Sequence, residues 1–166
     1  MPAGLVGGYN CWDYNHRQNY PYLKIMNWEE LKELDSNLIE IGSHGYSHRR
    51  MAFLREDELK IEIIKSKEIL ESKLNREIDT FAYPYGTLSS FDRRTVKVLK
   101  DSGYRYALST LFGPIKKTRD LYSLKRIGIW DDDQMNDIGD KLAGYYDWLG
   151  VKGRMAYYLR KILMIK

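Results

Sequence analysis

Cysteine is almost missing from this chain. The single Cys11 excludes a disulfide framework and a zinc site built on thiolates. Histidine is nearly as scarce: His16, His44 and His48 are the three present, so any imidazole chemistry has to use them. Long apolar runs are absent, and none approaches the roughly 18 residues that span a bilayer. Nothing between Met1 and Gly8 has the basic start and apolar stretch of a secretory signal. The chain as given therefore reads as cytoplasmic, with cell-envelope association reserved for a longer parent. No internal repeat or low-complexity linker interrupts the chain. What remains is the make-up of one ordinary globular domain: 166 residues, 43% hydrophobic and 30% charged, enough to bury a core.

Acidic residues are missing from one end. The net charge is +4, but residues 151–166 hold Lys152, Arg154, Arg160, Lys161 and Lys166 with no acid, which is +5. The first 150 residues therefore sum to −1, unlike a nucleic-acid-binding core with its basic face. The basic residues interleave with Met155, Tyr158, Leu159, Ile162 and Leu163, the pattern of a basic amphipathic helix. The chain divides accordingly into a domain at 1–150 and a helix at 151–166. Packing of its apolar stripe on the domain is favoured over contact with an anionic membrane.

The pattern along the chain alternates strand and helix. Leu5–Gly8 reads as a short strand running into a loop at 9–24. Asn27 and Glu30 form a capping box for a helix reaching about Ser36. Leu38–Gly42 reads as a short buried strand. Across residues 56–74, Leu59, Ile63, Ser66, Leu70 and Leu74 fall on one helical face, widened by Ile64 and Ile69. Strands follow at 78–82, 104–109 and 124–129, with helices at 90–102, 133–147 and 151–163. Gly103 is a left-handed C-cap. Strands separated by helices predict an α/β fold with a parallel sheet, its chemistry at the C-terminal ends of the strands.

Two segments lie at such ends. In Ser43-His44-Gly45-Tyr46-Ser47-His48, two imidazoles four residues apart can converge on one divalent metal ion, with Gly45 permitting the turn. The alternative is two surface histidines in a polar loop. In Phe81-Ala82-Tyr83-Pro84-Tyr85-Gly86 a strand ends in a tight aromatic turn. Backbone N–H groups in such a turn can face a reacting oxygen, or the turn can simply pack its tyrosines. Two weaker features stand beside these. The aromatic stretch Tyr9, Trp12, Tyr14, Tyr20 and Tyr22 is either a sugar-stacking lip or a loop packed on the body. Trp130 with Asp131-Asp132-Asp133 reads as a solvated helix start rather than a cation site.

Taken together, the two segments resemble the polysaccharide deacetylase family (carbohydrate esterase family 4). His44-Gly45-Tyr46-Ser47-His48 is similar to its His-Ser/Thr-x-x-His motif, and Ala82-Tyr83-Pro84-Tyr85 to its Arg-x-Pro-Tyr turn. One amphipathic helix lies between them, as in the family, and the resemblance runs from about Pro2 to about Asp133. It implies a distorted (β/α) barrel and a hydrolase acting on carbon–nitrogen (non-peptide) bonds, which removes N-acetyl or O-acetyl groups from a polysaccharide or other glycan. It also implies a divalent metal, zinc first, held by His44, His48 and an Asp. The Tyr85 N–H would hold the oxyanion, and Tyr83 and Pro84 would shape the substrate groove.

The sequence departs from that pattern at four places. The family's Asp-Asp pair, which supplies the general base and the third metal ligand, has no counterpart, and Asp13 is the first acid. Gly45 replaces Ser/Thr, and Ala82 replaces the Arg. No histidine follows His48, and Arg126 stands in the region of the family's late His. The chain thus reads as an N-terminally truncated member with weakened metal binding. A non-catalytic remnant that binds glycan or a partner is the alternative, and a two-carboxylate glycosidase is a weaker third.

Overall fold

The computed structural model describes residues 1–12, 22–115 and 120–163. Helix α1 (Trp28–Glu33) starts on the expected capping box: the Glu30 N–H donates to Asn27 Oδ1 at 2.9 Å, and the Asn27 N–H donates to Glu30 Oε2 at 2.7 Å. The long helix predicted over 56–74 is present. It runs as α2 (Glu56–Lys60), a π-helical turn (Ile61–Lys65) and α3 (Ser66–Leu74). The five residues assigned to its inner face, Leu59, Ile63, Ser66, Leu70 and Leu74, are all buried. Asn75 ends it in the left-handed conformation.

Strands β1 (Thr80–Ala82), β2 (Tyr106–Phe112) and β3 (Leu124–Arg126) form a parallel sheet in the order β1-β2-β3. Helix α4 (Arg93–Asp101) connects the first two, capped by Asp92 on the Thr95 N–H. Phe81 pairs with Ala107 in register. Both are fully buried, as a parallel sheet covered by helices requires. On the other side of β2, Leu108 pairs with Leu124 and Phe112 with Arg126, so β2 bulges against the shorter strand. The apolar core lies between β1–β2 and the inner faces of α2, α3 and α4: Leu59, Ile63, Leu70, Leu99, Phe81 and Tyr104.

Two expectations are corrected. Leu38–Gly42 is not a strand: the Asn37, Leu38 and Ile39 N–H groups all turn back onto Asp35, leaving Leu38 82% exposed. An Asx-type turn competes successfully with the ladder there. Sheet pairing begins only at Ser43, a one-residue parallel bridge to Phe81. Residues 5–8 form no strand either. The Ala3 and Gly4 N–H groups bond to the carbonyls of Gly45 and Tyr46, and Ala3–Leu5 tightens into a 3-10 turn. The α/β class holds: the described residues make a three-stranded parallel sheet, which is part of the expected fold and does not show a barrel.

The last two helices are α5 (Met135–Ala143) and α6 (Trp148–Leu163). Ahead of α5, Asp133 pairs with Lys141 and accepts the Trp130 N–H, while Asp131 and Asp132 are exposed. The start of α6 lies against β2, where Gly150 approaches the Phe112 carbonyl. Beyond it, Met155, Tyr158 and Leu159 are each more than half exposed.

Phe81 is the residue on which sheet and helices meet, set edge-on to Tyr83 and Tyr104 at 5.5 and 5.4 Å. Phe81→Ala is expected to lower unfolding free energy by about 3–5 kcal/mol, read as a reduced urea midpoint with little change in slope.

Candidate functional site

The site begins with Ser43. Its N–H donates to the Thr80 carbonyl and its carbonyl accepts from the Ala82 N–H, both at 2.8 Å. His44 is thereby delivered to the C-terminal end of β1, where its Nδ1 lies 2.6 Å from the Ala82 carbonyl oxygen. A carbonyl only accepts, so Nδ1 carries the proton and Nε2 keeps its lone pair. This is the second-shell arrangement that fixes the tautomer of a metal-ligating histidine. Burial, with a smaller contribution from His48, pushes the His44 pKa down to about 4, so the ring is neutral near pH 7.

Four residues on, His48 sits with φ +62°, a left-handed backbone that few non-glycine residues adopt. The two rings converge, centroids 4.8 Å apart and nearly perpendicular. His48 is 8% exposed, and burial lowers its pKa to about 4. Its Nδ1 is buried, and among the described residues it has no hydrogen-bond partner. Buried ring nitrogens rarely go unsatisfied. This orphaned atom is the strongest sign that something outside the described residues completes the pair.

A buried carboxylate holds the loop between the histidines. Glu62, 2% exposed, projects from the π-helical turn. Its Oε2 accepts the N–H groups of Tyr46 and Ser47 at 2.8 and 2.9 Å, and its Oε1 accepts the Ser47 hydroxyl. Gly45 has φ +80°, and a Cβ there would lie 2.9 Å from Glu62 Oε2. The glycine that departs from the family motif is therefore the residue that lets the carboxylate approach.

The aromatic turn closes the other side. Tyr85 has φ +61°, its ring is edge-on to His48 at 5.0 Å, and Arg50 stacks over it at 4.2 Å. Its carbonyl accepts the Thr110 hydroxyl at 2.8 Å. Among the described residues nothing accepts the Tyr85 N–H. Gly86, also at positive φ, passes so close to β2 that a Cβ would sit 2.6 Å from the Thr110 nitrogen.

Tyr83 and Pro84, expected to shape the substrate groove, lie beneath the turn. Tyr83 is fully buried, stacked on Phe91 at 3.9 Å, with its hydroxyl donating to the Tyr122 carbonyl at 2.8 Å. Pro84 is likewise buried. Both support the turn from beneath and present no side chain to a ligand. Trp12 fills a place the sequence left open: it stacks on His48 at 4.4 Å. Tyr9 and Tyr22 stack on each other, exposed. Asp13, Tyr14 and Tyr20 lie outside the described residues. Arg126, at the end of β3, donates to the Ser109 carbonyl, and its charge is close enough to lower the His44 pKa slightly.

As a metal centre the pair fits in part. Two neutral imidazoles with converging rings suit a divalent transition ion. Among the described residues, however, no group of three His, Cys, Asp or Glu is gathered, and catalytic zinc generally takes three protein ligands.

The polysaccharide deacetylase family profile matches residues 11–107. The chain belongs to the polysaccharide deacetylase family. The match ends within β2 and includes both histidines and the Tyr85 turn. Over 101 residues the chain is 24% identical to YxkH of Bacillus subtilis, whose name places it in the same family; the alignment covers 61% of this chain and 35% of that one. The Streptococcus pyogenes deacetylase PplD, solved in complex with acetate, superposes with a TM-score of 0.66 at 21% identity, covering 71% of this chain and 51% of that one. A polysaccharide deacetylase from Bacillus cereus gives 0.63 at 24% identity, covering 71% and 37%. IcaB from Ammonifex degensii gives 0.59 at 23%, covering 78% and 55%. These likenesses show the fold. The chain spans about a third of the length of YxkH and between a third and little over half of these structures.

Sequence reasoning missed Glu62. Helical spacing, three residues after Leu59 and four before Ser66, sets it beside the buried stripe, but its charge groups it with the solvated face. Glu62→Ala strands two backbone donors in a buried loop, so a loss of about 2–4 kcal/mol is expected, measured by urea unfolding. The same substitution should broaden the His44 and His48 ring resonances in NMR spectra while leaving those of α4 unchanged.

Proposed function

We propose that this chain carries the histidine side of a metal-dependent deacetylase site that removes acetyl groups from a glycan. The observation that carries the reading is the pairing of His44 and His48: one imidazole has its tautomer fixed by the Ala82 carbonyl, and the other holds a buried, unpartnered nitrogen. His44 and His48 would be two of the ligands of a divalent ion, zinc first among the candidates. When bound, such an ion polarises an acetyl carbonyl and raises the acidity of a bound water. The chain's own groups do the rest. The Tyr85 N–H is free to donate to the acetyl oxygen as it gains charge. Trp12 and Tyr85 flank His48 and shield it from water.

Calorimetric titration of the full chain with Zn²⁺ should show one site, weakened at least about tenfold by His44→Ala or His48→Ala. Zn²⁺-dependent acetate release from N-acetylglucosamine oligomers should fall with the same two substitutions. Acetate release untouched by either would sink the reading. The second reading is a glycan-binding domain without turnover, and it draws on one observation: only two metal-ligand side chains converge among the described residues. Oligomer binding with no acetate release under saturating metal would favour it.

A further inference from the structure

Helix α6 is long enough to matter on its own: 16 residues, or about 24 Å at the rise of an α-helix. Trp148, Val151, Met155, Tyr158 and Leu159 follow one another at spacings of three and four residues, so they share a face. They are between 49% and 60% exposed. Such a stripe is what a domain normally buries, and here the first turn of the helix meets the body, where Gly150 lies against the Phe112 carbonyl.

Charge tells what the stripe suits. From Trp148 to Lys166 the sequence carries five basic residues and no acid, while the chain before it sums to −1. At 100° per residue, Lys152 and Arg154 fall on opposite edges of the stripe. Lys152 lies over the Trp148 ring at 5.6 Å, and Arg154 folds back onto the Gly150 carbonyl. An apolar face with cations along both edges and aromatic rings within it matches the boundary between acyl chains and anionic headgroups. A second copy of the helix would bring +4 against +4, which disfavours self-association. Among the described residues no helix is long and apolar enough to cross a membrane, so the geometry is that of a helix lying on the surface.

We propose that α6 is a membrane-surface helix, docking the chain on an anionic lipid bilayer through Trp148, Val151, Met155, Tyr158 and Leu159. The helix leaves the body beyond Phe112, at the C-terminal end of the parallel strands. His44 and Tyr85 stand at that same end of the sheet. Docking would therefore hold the histidine loop near the lipid surface, whatever chemistry that loop performs.

The test is sedimentation of the full chain with vesicles of equimolar phosphatidylcholine and phosphatidylglycerol, beside vesicles of phosphatidylcholine alone. Binding is expected to the anionic vesicles only, and to weaken between 50 and 500 mM salt. The double substitution Met155→Ser/Leu159→Ser should lower partitioning at least tenfold, and Lys152→Gln/Arg154→Gln about tenfold. All four positions are exposed on α6, so circular dichroism and the urea midpoint of the body should not move. The proposal is overturned if the wild-type chain stays in the supernatant at 50 mM salt, or if both variants sediment as it does. It is also overturned if lipid-free ultracentrifugation shows a dimer that Met155→Ser/Leu159→Ser abolishes, since the stripe then belongs to a second copy.

Discussion

A carboxylate removed from water must be given hydrogen-bond donors, and the Glu62 carboxylate finds three in one short loop. That requirement organises the centre of the molecule. The Tyr46 and Ser47 N–H groups belong to the residues between the two histidines. The charge on the helix therefore sets the path of the chain that carries them. Gly45 is shaped to let the carboxylate in, and His48 follows in a backbone conformation that costs free energy unless its surroundings enforce it. Without Glu62 the loop would retain its residues but lose what holds them in place.

The histidine loop is fastened at its other end by the sheet. Ser43 pairs with β1 on both sides of Phe81, and the next residue sends its imidazole to the carbonyl of Ala82. Strand, loop and helix thus converge within a few residues, each contributing backbone groups. Tyr83 and Pro84 stabilise the same junction from inside the core. Their motif resemblance reflects the support of a site more than contact with a ligand.

Much of this was legible in the sequence, though unevenly. The apolar face of residues 56–74 could be named residue by residue, because helical periodicity depends on burial and little else. The capping box at Asn27 and the parallel strands around Phe81 and Ala107 follow from local rules of the same kind. The two histidines and the Tyr85 turn stand out by motif. What failed was set by competition that a linear pattern does not show. Asp35 draws the following backbone into a turn, so Leu38–Gly42 never joins the sheet. Glu62 looks solvated by its charge, although its spacing to Leu59 and Ser66 sets it on the inner face. The stripe on α6 has the spacing of a packed helix, and only the structure shows Met155, Tyr158 and Leu159 more than half exposed.

The π-helical turn has a further consequence, in terms of winding. A stripe with steps of four, three, four and four drifts around a regular α-helix by about 60° in all. Between Leu59 and Leu74 the stripe nevertheless stays on the core. The wider turn at Ile61–Lys65 advances more slowly around the axis and takes back that drift, so α2 and α3 face the sheet together. The helix thus holds one residue more than a regular helix of the same path would need. Leu59, Glu62 and Ile63, at spacings of three and four, all point inward within two turns: two to the apolar core, and one to the loop that bears the histidines.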